Sequence, residues 1–229
     1  MRPPIKLGGE EHPRLVYVVA PDYGLAMKVF EPIYDDIVPE GSILHSQFKH
    51  YDKDRMLITL TNGARIQAKT GINPKSLAGD AVTLAIVDEA HALSNEAMAE
   101  LLPALSDLRG RMMAFGIPQT DNWFRSMSMR GQMVENFDAE GSRYHSFSVD
   151  FLANPNNVEQ EMIDMKASGL ITEREWIQRY LAQWTELEGS VFRTYDWCFD
   201  SQPEDPGRGP YIMGLDFAIY NDFTSAYVI

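Results

Sequence analysis

The 229 residues include a single cysteine, Cys198, so no internal disulfide can form and a reducing compartment is the default. Long apolar runs are missing as well. The longest, Leu15 to Ala20 and Val82 to Val87, are strand-sized and far short of the roughly 20 residues of a membrane span. The N-terminus, Met1-Arg-Pro-Pro-Ile-Lys6, lacks the apolar core of a secretory signal, which leaves the cytoplasm as the expected location. Positive charge is scarce, with 20 Lys and Arg against 33 Asp and Glu. The resulting net charge of −13 repels nucleic acid unless basic residues are concentrated locally.

What remains is a globular composition, 45% hydrophobic and 23% charged, with room for one large or two modest domains. The charge is uneven. Residues 107–130 hold Arg109, Arg111, Arg125 and Arg130 against Asp107 and Asp121, whereas residues 150–207 hold twelve acids against four bases. The first account of the four arginines is an ordinary scattered surface, and the second is contact with DNA phosphates or a neighbouring subunit's nucleotide.

Leu15 to Ala20 reads as a strand buried on both faces, followed by a helix N-cap at Asp22. The helix should begin near Tyr23, use Leu25, Val29 and Ile33 as one face, and kink or end at Pro32. Arg55 to Leu60 and Ala64 to Ala68 flank Thr61-Asn62-Gly63, a strong hairpin signal. Val82 to Val87 predicts a second buried strand. Ser94 to Leu108 predicts a helix with Ala97, Leu101, Leu105 and Leu108 on one face, and Arg111 to Gly116 a third strand. Strand, helix and strand at this spacing make a crossover unit of a parallel sheet, whose ligands gather at the carboxyl ends of the strands. Helices are expected over Val158 to Ser168 and over Thr172 to Trp184, where Thr172 and Glu175 form a capping-box pair. Ser201 to Pro210 is the linker candidate, and Tyr211 to Asp216 and Phe223 to Ile229 predict two strands.

Leu84-Ala-Ile-Val-Asp88-Glu89 places two carboxylates where a buried strand leaves the core. This is the Walker B arrangement, in which the first acid holds Mg²⁺ and the second polarises the water that attacks the γ-phosphate. The alternative is a strand end followed by a helix start with acids favoured by its dipole. His91 either contacts a nucleotide-sensing loop or is a packed or capping histidine.

Further pieces occur in a fixed order: Val18-Val-Ala-Pro21 with its helix, the Asn62-Gly63 hairpin, Ser76 to Gly79, the Asp88-Glu89-Ala-His91 segment, and Gly116-Ile-Pro118. Asn154-Pro155, Gln183 to Phe192, Gly214-Leu-Asp216 and Asp222-Phe-Thr224 follow. In this order the sequence resembles the large terminase subunit of tailed double-stranded DNA bacteriophages, the ATP-driven motor and nuclease that packages and cuts the genome. The resemblance implies an α/β fold built on an incomplete P-loop-type parallel sheet (1–150), a helical linker subdomain (151–209) and the first hairpin of an RNase H-like nuclease domain (210–229). It implies Mg²⁺ binding by Asp88, catalysis by Glu89, and a coupling motif at Gly116, Ile117, Pro118, Gln119 and Thr120, although Ile117 stands where the family usually has a small hydroxyl residue. Asp216 would be a nuclease metal ligand for Mg²⁺ or Mn²⁺, with Asp222 an accessory acid or a turn residue. The implied partners are double-stranded phage DNA, the portal protein, the small terminase subunit and further copies in a ring on the portal, with no membrane.

A nucleotide-hydrolysing domain of this type also needs a Gly-rich loop with Lys and Ser or Thr, and the 229 residues contain none. The resemblance places that loop before Leu15, on a central strand beside the Walker B strand. The expectation is therefore an internal slice of a terminase, inactive alone, with exposed strand edges that another chain completes. Two other readings stand beside it: a helicase-like ATPase sharing Asp-Glu-Ala-His, and a non-catalytic pseudo-ATPase assembly module.

Overall fold

The computed structural model describes residues 5–7, 10–119, 122–132, 144–185, 213–216 and 225–228. The chain divides into two units, Met1–Thr185 and Glu186–Ile229.

The first unit starts with a short antiparallel ribbon, β1 (Ile5–Leu7) and β2 (Glu10–His12). The run that follows is rich in β-branched residues, which suit a pleated surface packed on both sides, and it forms β3 (Leu15–Ala20) with Tyr17 to Ala20 fully buried. Asp22 then caps α1 (Tyr23–Ile37), its carboxylate accepting the Leu25 N–H at 2.9 Å. Two expectations for this helix are corrected. Its fully buried residues are Ala26, Phe30 and Ile37 rather than Leu25, Val29 and Ile33, which are all half-buried, Ile33 packing against the same core. Pro32 does not end it, because Pro32 and Lys28, whose carbonyl loses its donor, both lie on the exposed side and water can serve that carbonyl.

Strands β4 (Phe48–Asp52), β5 (Leu57–Leu60) and β6 (Arg65–Thr70) form an antiparallel meander. The Asn62-Gly63 turn is built as expected: Asn62 Oδ1 accepts the Ala64 N–H at 3.0 Å and Gly63 takes φ +82°. The chain then crosses to β7 (Leu84–Val87), α2 (Asn95–Ser106, capped by Ser94) and β8 (Arg111–Ala114). All six strands make one sheet in the order β4-β5-β6-β3-β7-β8, with β6, β3, β7 and β8 mutually parallel. One face packs on α2 through Leu15, Tyr17, Val19, Ala85 and Val87. The other packs on α1 through Ile58 and Ala68. Ala97, Leu101, Leu105 and Leu108 are all buried, as their spacing predicts.

The topology corrects the expected position of the open edge. β7, which runs into Asp88, is paired on both sides, by β3 and by β8, so among the described residues the edges of the sheet are β4 and β8, and β8 is the open edge nearest Asp88. There Met113 and Phe115 are 51% and 50% exposed.

Beyond the sheet lie α3 (Trp123–Gln132), α4 (Glu159–Ala167) and α5 (Glu173–Glu175). The expected capping box is present, with Thr172 and Glu175 each accepting from the other's backbone N–H. The long helix expected after it is not formed: one α-turn passes into a π-helix, Trp176–Tyr180. In the second unit β9 (Met213–Asp216) pairs antiparallel with β10 (Ser225–Val228), Asp216 opposite Ser225. The Ser201–Pro210 linker candidate, Thr120, Asp222 and residues 186–192 lie outside the described residues.

Candidate functional site

Parallel strands deliver their loops to one edge, and β7 and β8 deliver the two segments singled out in the sequence side by side. Asp88 is the residue that leaves β7, its N–H still tied to the Val19 carbonyl at 2.8 Å. Glu89 takes φ +48° and ψ +43°, a left-handed conformation that costs a non-glycine residue on the order of 1 kcal/mol. That kink turns the chain at once into the short turn Ala90–Ala92 and leaves the Glu89 carboxylate 38% exposed.

The β8 segment locks against this turn. Phe115 donates to the Val87 carbonyl at 2.9 Å, and Ala90 donates to the Phe115 carbonyl at 2.8 Å. Gly116 is needed for the approach. A Cβ there would lie 3.1 Å from the His91 backbone nitrogen and 3.2 Å from that of Ala90, and the Ala90 nitrogen, held by its bond to the Phe115 carbonyl, has little freedom to retreat. Ile117 donates its N–H to His91 Nδ1 at 3.3 Å, while Glu89 Oε2 stands 3.4 Å from the same nitrogen. Pro118 is buried and Gln119 exposed. Asn122 Nδ2 fastens the far side, donating to the His91 and Leu93 carbonyls at 3.0 and 3.3 Å.

Burial pushes the His91 imidazole below its ordinary pKa. Glu89 opposes the shift, Arg179 reinforces it, and Asp88 opposes it more weakly. The neutral ring fits the accepted Ile117 hydrogen bond. Arg179, on the π-helix, is a charge near the site that sequence reasoning missed, since no motif marks it and the spacing predicts a regular helix there.

Ser76 to Gly79 is held from below. Lys69 Nζ donates to the Ser76 carbonyl at 2.9 Å, and Gly79 takes φ +92° at the turn. The four arginines are not gathered at Asp88. Arg109 and Arg111 lie by the amino end of β8, the opposite edge of the sheet, and Arg125 and Arg130 lie over the Trp184 and Tyr144 rings at 5.9 and 5.3 Å. Next to the 116–118 turn is an apolar cleft of about 230 Å³, lined by Phe115, Pro118, Phe124, Phe147 and Trp184 among others.

Among the described residues no group of three or more His, Cys, Asp or Glu is arranged to hold a metal ion. The Asp88 and Glu89 pair fits a Mg²⁺ of the kind that takes one or two carboxylates and completes its shell with phosphate and water. Asp216 ends β9 beside its pairing partner Ser225. No described helix is long and apolar enough to cross a membrane.

No protein-family model matches the sequence, and no curated protein does. Solved structures match in fold. The large terminase ATPase domain of Thermus phage P74-26 superposes with a TM-score of 0.60 at 19% identity, over 75% of this chain and 77% of that one. The large terminase of a second thermophilic bacteriophage, in complex with ADP, superposes with a TM-score of 0.53 at 11% identity, over 95% of this chain and 56% of that one. This chain therefore spans little more than half the length of that ADP-bound protein. What it shares with these proteins at such identities is architecture, and its six-stranded sheet with flanking helices is the fold of a large terminase ATPase domain.

Proposed function

We propose that this chain supplies the Walker B and coupling half of a large-terminase ATPase motor, which moves double-stranded phage DNA into a procapsid. One observation carries the reading: within a terminase ATPase fold, Asp88 and Glu89 leave the carboxyl end of a parallel strand directly against the Gly116–Pro118 turn of its neighbour. In this reading Asp88 holds Mg²⁺, which supplies charge neutralisation at the nucleotide phosphates when bound. Glu89 orients the attacking water and takes its proton. The turn at 116–120 passes the change on towards the DNA-moving parts.

The phosphate loop must come from residues outside these 229, either from the same protein or from another chain. The unpaired β8 edge is the position for its strand, and the half-exposed Met113 and Phe115 form the apolar surface for the helix that follows such a loop. The portal protein, the small terminase subunit and further copies in a portal-mounted ring belong to the same proposal, with the host cytoplasm as its setting. Supplying a P-loop βα unit should restore Mg²⁺-dependent ATP hydrolysis, and Glu89→Gln in that assembly should nearly abolish turnover while ATP still binds. Hydrolysis that survives Glu89→Gln, or a complemented protein that binds no nucleotide, would remove the ATPase assignment and favour an assembly module.

We propose in addition that β9 and β10 open a metal-dependent nuclease domain, with Asp216 as a ligand for Mg²⁺ or Mn²⁺. The support is the resemblance of Gly214-Leu-Asp216 together with the antiparallel pairing of the two strands. In a protein extended through that domain, Asp216→Asn should stop DNA cleavage, because a neutral amide is a poor ligand for a hard cation. Cleavage that persists would show the strand to be misassigned.

A further inference from the structure

One nitrogen in the site faces two partners. His91 Nδ1 lies 3.3 Å from the Ile117 N–H and 3.4 Å from Glu89 Oε2. A ring nitrogen carries either a lone pair or a proton, so it can accept from Ile117 or donate to Glu89, never both. Shifting the one proton of the neutral ring between Nε2 and Nδ1 exchanges the partners without changing the charge. The surroundings hold the ring at this junction. Its side chain is 11% exposed, its carbonyl is tied by Asn122, and the missing Cβ of Gly116 lets the 115–117 backbone come within contact of the ring.

We infer that His91 is a positioning residue, a two-position clasp whose Nδ1 alternately holds the Ile117 backbone and the Glu89 carboxylate, so that re-aiming Glu89 releases the 116–118 turn. The functional side of this inference rests on the reading of Glu89 as the catalytic carboxylate. The clasp itself does not, and it can be tested without nucleotide. Glu89 Oε2 is 3.4 Å from Nδ1 on a side chain 38% exposed, so side-chain rotation alone brings it into or out of reach of Nδ1 without any movement of β7. No second acceptor is seen for the Ile117 N–H among the described residues, which makes that amide the natural reporter.

The test is amide hydrogen exchange at Ile117, with ¹⁵N shifts of the His91 ring, in the 229-residue chain. The wild-type ring should carry its proton on Nε2. His91→Asn places an amide oxygen near the position of Nδ1 and should keep Ile117 protection within about threefold. His91→Phe should accelerate its exchange by about tenfold, the equivalent of one lost hydrogen bond. The deciding variants are at Glu89. Glu89→Gln brings an N–H donor to Nδ1 that competes with Ile117, and should accelerate Ile117 exchange severalfold, whereas Glu89→Ala removes the competitor and should leave protection equal or higher. Equal exchange in the Gln and Ala variants would overturn the clasp, as would unchanged exchange in His91→Phe or a ring protonated on Nδ1. Loss of the ATPase reading would show instead in the turnover of the complemented protein, with the Ile117 pattern intact.

Discussion

Tyr17, fully buried in β3, donates its hydroxyl hydrogen to Asp80 Oδ2 at 2.8 Å, across 63 residues of sequence. The Lys69 ammonium lies 5.1 Å above the same ring and reaches the Ser76 carbonyl, so β3 and β6 together pin the 74–80 segment to the sheet. Burial, and after it the bond to Asp80, holds the Tyr17 hydroxyl well above its ordinary pKa, while burial pushes Lys69 down against the pull of Asp80. The two ends of the bond differ in what is left behind. Tyr17→Phe releases a half-buried carboxylate that water can reach, and should cost about 1 kcal/mol. Asp80→Ala strands a buried hydroxyl and should cost about 1–3 kcal/mol. Urea denaturation of both variants checks the order, and a Tyr17→Phe loss larger than that of Asp80→Ala would contradict the account.

A second prediction concerns Gly110, where the chain leaves α2 for β8. A Cβ there would lie 2.3 Å from the Val82 carbonyl oxygen and 2.9 Å from a Leu105 methyl group. Val82 is itself tied to Ala104 at 2.8 Å, so the clash falls on a hydrogen-bonded backbone that cannot yield without separating α2 from β7. Gly110→Ala should cost about 2 kcal/mol or more, the upper range for overpacking. Gly41→Ala, with no atom within 4 Å but φ +87°, should lose only about 1 kcal/mol to backbone strain. Melting of the two variants side by side separates crowding from strain.

The elements legible in the sequence are those fixed by local chemistry. Asp22 as a cap, the Thr172 and Glu175 capping box, Asn62-Gly63 as a turn, and the Ala97, Leu101, Leu105 and Leu108 stripe all act within a few residues of themselves. What escaped depends on partners far away. The lateral position of β7 is set by pairing with β3 and β8, and no residue of Leu84–Val87 announces which neighbour it takes. The fully buried residues of α1 are offset from the Leu25, Val29 and Ile33 stripe because Phe30 and Ile37 form the centre of the core with Ile58 and Ala68, while Ile33 packs at its margin. α3, with the sequence WFRSMSMRGQ, has too few apolar residues for a periodic signal and is anchored by Trp123, which donates to the Leu93 carbonyl at 2.8 Å. At the site, the Asp-Glu pair could be read directly. The left-handed Glu89 and the shared Nδ1 of His91 appear only once β8 is placed.

The capping box at Thr172 yields a pH prediction. Bonds from the Thr172 backbone and hydroxyl hold the Glu175 carboxyl below its ordinary value of 4.5. A folded pKa below the unfolded one means that the stabilisation is full above about pH 4.5 and is lost as pH falls through the lower folded value. Glu175→Gln should remove this acid-side loss from the π-helix that follows, where Trp176 is 6% exposed and its fluorescence reports the local structure. An acid transition at Trp176 that is identical in the two proteins would exclude Glu175 as its source.

The last prediction follows from the unequal edges of the sheet. β4 is a protected edge: Lys49 and His50 are exposed, and its register with β5 shifts between Phe48 and His50. β8 carries the exposed Arg111 at its amino end but no register shift. Arg111 and Phe115 direct their N–H groups to the carbonyls of Thr83 and Val87, so by strand alternation Met112 and Ala114 direct theirs to the unpaired side. These two amides should exchange quickly with solvent while that of Met113 stays protected. The chain should also self-associate through this edge, since its backbone groups lie beside the half-exposed Met113 and Phe115. Ala114→Pro removes an outward donor without touching the β7 ladder and should shift sedimentation towards monomer with the fold retained, whereas Met113→Pro cuts the ladder and should unfold the sheet. Ala114→Pro with undiminished association would place the contact elsewhere. Protection of Met112 and Ala114 in a chain that sediments as a monomer would mean that the β8 edge is already covered, leaving no position there for the strand of a phosphate loop.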